Sequence, residues 1–232
     1  IDRFGADTLR LYVLFMGPAA EDIEWSDRGV EGQRRFLDRL WRLVGALPEG
    51  PLAGRPEPGA VEGDEAALEL MRKTEATIAK VTADIGDRFS FHTAISAVQE
   101  LVNLATKGVA EGAYSGAGGA AALRHACETA VSLLFPFAPH ATCEMWEAMG
   151  GEALWRVPWP QADQSLLGGD TITVVVQVNG KLRDRFTAEP GTDEATLLEQ
   201  VRALPKVASA LEGKNVVREI VVPDRLVNLV VK

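Results

Sequence analysis

Residues 133–146 read LLFPFAPHATCEMW. Pro136 and Pro139 interrupt a run that is otherwise apolar and helix-like. A proline inside a helix removes a backbone donor and clashes with the preceding turn. At the first helical position the missing N–H costs nothing. The pair therefore predicts a tight corner: Pro136 ends one helix and Pro139 begins the next. His140 then falls in a first turn, where its ring can bond a backbone group or a carboxylate. With no nucleophile or paired base nearby in sequence, His140 reads as architecture rather than catalysis.

The pattern on either side of the corner is helical. Asp7–Met16 reads as a short buried helix, and Ser26 as the N-cap of a long one from about Asp27 to Leu47. Leu37, Leu40, Val44 and Leu47 carry its apolar face. Four Pro and four Gly over residues 48–63 mark a surface loop. Further helices carry Leu68, Met71, Ile78, Val81 and Ile85; then Phe91, Ile95, Val98 and Leu101; then Cys127, Val131 and Leu134. Residues 108–119 read as a flexible connection. After the corner, the helix from Pro139 to Met149 stops at Gly150-Gly151. Residues 1–160 thus read as a helical bundle.

From Thr171 the apolar period becomes two. Ile172, Val174, Val176 and Val178 share a face, and Asn179-Gly180 signals a hairpin. Two short helices split by Pro205 and two more strands follow. Residues 171–232 therefore read as a small β-β-α-α-β-β domain of α+β class, joined to the mainly α bundle by a flexible linker at 161–170. A two-residue hairpin loop would turn alternate cations toward the valine face. A three-residue loop with a bulge at Gly180 restores parity, because a one-residue change flips a whole strand. That loop is the expectation here, with Leu182 and Phe186 beside the valines and Lys181, Arg183 and Arg185 together on the opposite face or rim.

Composition narrows the function. The 232 residues are 47% apolar with net charge −9, and no run approaches the roughly 18 apolar residues of a membrane span. The first ten residues carry no secretory leader pattern and no initiator Met, which suggests part of a longer chain. Two cysteines make no disulfide framework, in keeping with reducing cytoplasm. Residues 171–232 hold nine Lys or Arg against eight acids, while the rest holds 15 against 25. A polyanion would have to be held by local basic stripes. One such stripe exists. At about 100° per residue, Arg28, Arg35, Arg39 and Arg42 lie within about 60° of arc on the long second helix, opposite its apolar face. The stripe is either a solvated face, with Glu31 and Asp38 as flanking partners, or a surface for phosphates.

Other chemistry has weak support. The chain has no phosphate-loop motif. Gly116-x-Gly118-x-x-Ala121 has no strand before it. His125-x-Cys127 and His140-x-x-Cys143 are poorly spaced for zinc, and buried core thiols are the simpler reading. No catalytic and no metal-binding residue is assigned.

Four stretches together resemble the bacterial-type leucyl-tRNA synthetases of class I. RFGADTLRLYVLFMGPAAEDIEWSDRGVEGQRRFLDRLWRLV resembles the segment after their catalytic lysine loop. LLFPFAPHATCEMWEAMG is similar to the helix-corner-helix of the anticodon-binding-type domain, departing from its usual PFAPH(I/L)TEELW form at Ala141, Cys143 and Met145. VVVQVNGKLRDRF and REIVVPDRLVNLVVK resemble the small C-terminal domain of the leucine enzyme. The first two stretches alone would also suit the valine or isoleucine enzymes. The resemblance implies a tRNA-docking portion, a leucine tRNA partner, and catalytic and editing domains upstream in the same chain. It also implies a monomeric cytoplasmic ligase that uses ATP and Mg²⁺ through those upstream parts, since neither nucleotide signature of the family is in these residues. The tRNA contacts expected are Arg28, Arg35, Arg39, Arg42, Lys181, Arg183 and Arg185. The competing expectation is a helical protein-interaction module with no RNA role.

Overall fold

The computed structural model describes residues 1–17, 24–167, 172–188, 192–212, 214, 216–222 and 225–231. They fall into two compact units, Ile1–Leu167 and Gly168–Lys232. In the first, α1 (Ala6–Phe15), α2 (Asp27–Gly45), α3 (Glu65–Gly86), α4 (Phe91–Ala110), α5 (Ala117–Leu134) and α6 (Pro139–Ala148) form the bundle. Ser26 caps α2 by accepting from the Gly29 N–H at 3.3 Å, and Asp64 caps α3 by accepting from the Ala67 N–H at 3.0 Å. Leu11, Leu40, Leu70, Met71, Ile78, Ile95, Leu101, Leu133 and Leu134 are fully buried and build one core. That sustained burial holds the long helices together, since isolated helices of this length are marginal in water.

The proline corner forms as expected, with Pro139 at the first position of α6. Its N-cap residue, Ala138, has no side chain to cap with. Asp7 on α1 supplies the cap instead: its Oδ2 accepts from the Ala141 N–H at 2.6 Å and its Oδ1 meets His140 Nδ1 at 2.9 Å. Arg10, one turn on, donates to the Pro136 and Phe137 carbonyls at 2.9 and 3.1 Å. Both faces of the corner are thus satisfied from α1, and His140 belongs to that clamp.

Two loop expectations need correction. The connection between α4 and α5 is closely packed: Tyr114 is buried, and a Cβ at Gly108 would sit 2.3 Å from its ring. A Cβ at Gly118 would sit 2.3 Å from the Ala60 carbonyl oxygen, so that glycine serves helix–loop packing. The stretch 161–167, expected to open a flexible linker, is folded onto the bundle. Gln164–Leu167 forms a short helix, α7, with Leu166 buried against the core. The cause is a buried carboxylate. Glu75 on α3 receives Arg55 Nε and Nη2 at 2.8 and 2.7 Å, the Asp163 N–H at 2.8 Å, and His125 Nε2 at 3.0 Å. Arg55 also donates to the Gln161 carbonyl, and Trp159 Nε1 donates to Thr82 Oγ1 at 2.8 Å. Residues 168–170 of the expected linker lie outside the described residues.

The second unit contains β1 (Ile172–Val178), β2 (Lys181–Ala188), α8 (Glu194–Ala203), α9 (Pro205–Leu211), β3 (Val216–Val222) and β4 (Leu226–Val231). The sheet order is β2-β1-β4-β3, with β1 and β4 parallel and both outer pairs antiparallel. Val174, Val176, Val178, Val227, Leu229 and Val231 face Leu197, Val201 and Val207 of the two helices. Pro205 opens α9 as its first helical residue.

The hairpin departs from expectation. Val178 pairs directly with Lys181, so the loop has two residues. Asn179 and Gly180 take φ of 51° and 75°, as a type I′ turn requires at both central positions. Parity is restored one step later. Val176 pairs with Asp184 while Gln177 pairs with Leu182, leaving Arg183 as the bulged residue. Phe186 does lie opposite Val174, but Leu182 lies opposite Gln177 and is 53% exposed.

Candidate nucleic-acid interface

The arginine stripe on α2 rises about 21 Å from Arg28 to Arg42, at about 1.5 Å per residue. Arg28, Arg35 and Arg42 are exposed and Arg39 is half-buried. The flanking carboxylates are engaged by other arginines. Glu31 pairs with Arg3 at 3.2 Å and Asp38 with Arg34 at 2.9 Å. Arg39 donates to the Asn103 side-chain oxygen on α4, and Arg42 Nε to the Asp38 main-chain carbonyl at 3.2 Å. Among the described residues, neither Arg28 nor Arg35 has a hydrogen-bond or ion-pair partner. The α2 segment therefore presents cations whose flanking acids Glu31 and Asp38 are already paired with other arginines. Exposed ion pairs are worth little, so even Arg34 stays available to a competing phosphate. At the C-terminal end of the stripe, Arg39 and Arg42 stand at a cleft of about 280 Å³ floored by Leu43, Ala46, Thr106 and Val109. Guanidinium groups above an apolar floor can hold a phosphate while a sugar or base edge rests below.

The hairpin cations are exposed, but the register separates them. Lys181 lies opposite Val178 at the open end of the helix-covered face, and Arg185 opposite Val175 on the other face, with Arg183 at the bulge between. They are three separate cations at one sheet edge rather than a single row.

The buried titratable groups serve the fold. Burial opposes the charge of Glu75, but bonds from His125, Arg55 and the Asp163 N–H, with the Arg55 charge, hold its carboxyl below the usual range. The Cys127 thiol is pushed up to about 12, chiefly by burial and further by Glu128. It is protonated at neutral pH, which suits neither a nucleophile nor a metal ligand. His125 is committed to Glu75 and His140 to Asp7, so the two histidines weighed for zinc are engaged separately. None of the described residues forms a group of three or more His, Cys, Asp or Glu placed to hold a metal ion.

Comparison with known proteins agrees with this geometry. The model of the anticodon-binding domain of tRNA ligase matches residues 68–199. Leucine–tRNA ligases of Sodalis glossinidius, Hydrogenovibrio crunogenus and Geobacter sp. are 41%, 42% and 42% identical over the whole chain. The chain spans 26–28% of the length of those relatives. Among solved structures, the agnB2 LeuRS of Agrobacterium radiobacter K84, in a ternary complex with tRNA and LeuAMS, superposes with a TM-score of 0.75. That match is 32% identical and covers 99% of this chain and 29% of the other. Arginines on an exposed helix face, a proline corner clamped from α1 and this similarity along the full chain converge: the chain belongs to the family of anticodon-binding domains of tRNA ligases, and the relatives it resembles there are leucine–tRNA ligases.

Proposed function

We propose that this chain is the tRNA-docking portion of a leucine–tRNA ligase. It holds leucine tRNA while a catalytic domain elsewhere in a longer, monomeric cytoplasmic chain performs ATP- and Mg²⁺-dependent leucylation. The α2 stripe carries the reading, because its cations stand free of the acids beside them in an otherwise acidic unit. Arg28, Arg35, Arg39 and Arg42 grip phosphates along one face, and Lys181, Arg183 and Arg185 add contacts from the second unit. ATP and Mg²⁺ are handled outside these residues, and the editing domain likewise. In this reading residues 1–160 and 171–232 act as two docking modules. No helix among the described residues is long and apolar enough to cross a membrane.

The test is salt-dependent binding of a leucine tRNA transcript. Removing one true phosphate-binding cation should weaken binding and lower the log–log salt slope by about one. Arg35→Ala with Arg39→Ala, and separately Lys181→Ala with Arg183→Ala, should each lower affinity and slope. Unchanged affinity and slope in both pairs would make these faces merely solvated and favour a protein-interaction role.

A further inference from the structure

A cavity of about 520 Å³ lies where α1, α2 and α6 meet. That is within the size range of small-molecule pockets, about 300–1,000 Å³. One end is made of unpaired donors. Gly5 is the N-cap of α1 and brings no side-chain cap. The N–H groups of Ala6, Asp7 and Thr8 have no acceptor among the described residues. Asp7 does not supply one, because its two oxygens meet His140 Nδ1 and the Ala141 N–H. A bare helix start is ordinarily left to water. Thr8 distinguishes this one. It is 2% exposed and lines the cavity, yet its hydroxyl has no partner among the described residues. Thr74, Thr77, Thr82, Thr106 and Thr142 each return the hydroxyl to the carbonyl four residues back, at 2.7–2.8 Å, and Thr8 does not. Nor is that hydroxyl sealed in the core. Among the described residues, the wholly buried side-chain polar atoms without a partner are Arg124 Nη1 and Trp146 Nε1. Hydroxyls of buried residues are normally paired, so this end of the cavity is built to meet an acceptor.

The α2 wall differs. Arg34, Asp38 and Trp41, at intervals of four and three, share one face over about 10 Å of helix. Asp38 Oδ1 accepts from Arg34 Nε at 2.9 Å, and its Oδ2 has no partner among the described residues. Both side chains are about half exposed, so the pair is easily opened. Leu37 and Met145 add buried apolar surface to the lining, and the Trp41 indole remains 46% exposed. Two carboxylates, Asp7 and Asp38, thus share the wall with one guanidinium, Arg34. Like charge opposes a bare anion there. A molecule that brings its own cation meets no such opposition.

We propose that this cavity binds a free α-amino acid with an apolar side chain. Its carboxylate accepts from the first N–H groups of α1 and from the Thr8 hydroxyl, where the helix dipole favours negative charge. Its ammonium donates to Asp38 Oδ2. Its side chain lies against Leu37, Met145 and the Trp41 indole. The face that carries Arg34, Asp38 and Trp41 is turned roughly 100° round α2 from the stripe of Arg28, Arg35, Arg39 and Arg42. The site is therefore separate from the proposed phosphate contacts, and its failure would leave the tRNA-docking reading untouched.

The probes are leucine, methionine and phenylalanine, titrated into the 232-residue chain by calorimetry and by saturation-transfer NMR. At least one should bind saturably with a Kd of about 1 mM or below, as its number of heavy atoms allows. The methyl ester of that amino acid keeps the ammonium and the side chain but loses the carboxylate charge, and should bind at least about tenfold more weakly. Thr8→Val keeps the shape of the wall and should weaken the amino acid about tenfold. Asp38→Asn should weaken it about two- to fivefold, and should have no effect on the analogue that lacks the amino group. Trp155→Ala, which removes an exposed indole that is not in the lining, should change nothing. Thermal melts close to that of the parent should show the variants folded. Absence of saturable binding by all three probes at about 10 mM, ten times the expected Kd, would overturn the proposal. So would binding that survives both Thr8→Val and Asp38→Asn unchanged. Tighter binding of a Gly-Gly tripeptide ending in the same residue would assign the cavity to a chain terminus, and displacement of the amino acid by an equal concentration of inorganic phosphate would make it a plain anion site. Either result would also overturn the proposal.

Discussion

Replacing Glu75 with Gln tests how the bundle holds its own terminal segment. The carboxylate is fully buried and has four polar contacts within 3.0 Å: two from Arg55, one from the Asp163 N–H and one with His125. Glutamine keeps the shape but offers one acceptor oxygen, so its –NH₂ must face groups that are themselves donors. Removing one partner of a buried ion pair costs about 3–5 kcal/mol, and charge-assisted bonds are individually worth about 1.5–3 kcal/mol. Arg55 is one-third exposed and recovers some hydration, which lowers the expectation to about 2–4 kcal/mol. For a unit of this size, each kcal/mol moves the melting temperature by about 2–4 °C, so a fall of about 10 °C is expected. All five tryptophans lie between Trp25 and Trp159, so their fluorescence follows the first unit alone. The pH dependence has a definite sign. The Glu75 carboxyl is held below its ordinary value in the fold, so its contribution is complete above the unfolded pKa of about 4.3. It fades as pH falls through the folded value, and the gap between parent and variant must narrow in acid. A Glu75→Gln protein melting within about 2 °C of the parent at pH 7 would refute the account of the hub.

Asp7→Ala strips α6 of its borrowed cap. It should destabilise the bundle by about 1–2 kcal/mol, read as a fall of a few degrees in the same fluorescence melt, and His140→Gln should cost less because the Ala141 N–H keeps its acceptor. Ser26→Ala should cost about 1 kcal/mol by urea titration, since the α2 cap is a single exposed bond. Cys127 should stay unmodified by a thiol reagent at pH 8 until denaturant is added, because burial keeps it protonated. Rapid labelling in the native state, identified by peptide mass, would contradict its placement. The chain alone should show no leucine-dependent ATP–pyrophosphate exchange.

Features legible in the sequence are those decided by neighbours along the chain. Ser26 announces α2 because a cap acts within three residues, and the arginine stripe follows from helical period alone. The Asn179-Gly180 turn is equally local, and its two-residue form is what those residues favour. Parity demands one compensating residue but does not say where, because a bulge can sit anywhere in the strand, and Arg183 offers no local sign of one. The stretch 161–167 reads like a linker because its anchors, Arg55 and Glu75, stand 106 and 88 positions away from the groups they bind. The candidate site divides the same way. Its arginines are visible in the sequence, while the pairing that takes up Glu31 depends on Arg3, 28 residues away.

The clamp at the proline corner has a consequence in time. Asp7 must wait 134 residues for its partner at Ala141. At synthesis rates of about 5–20 residues per second, that is about 7–27 s after Asp7 itself is made. Meanwhile α1 already has a nearby companion, since Tyr12 accepts from the Ser26 N–H at 2.6 Å, only 14 positions away. Helix α1 is thus seated on α2 early and locked to the corner late. Until α6 is made, α1 can pack on α2 and α4 but lacks the clamp that Asp7 forms at the corner. Stalled chains ending shortly before Pro136 should leave α1 open to protease, and chains in which Ala141 has cleared the exit tunnel should protect it.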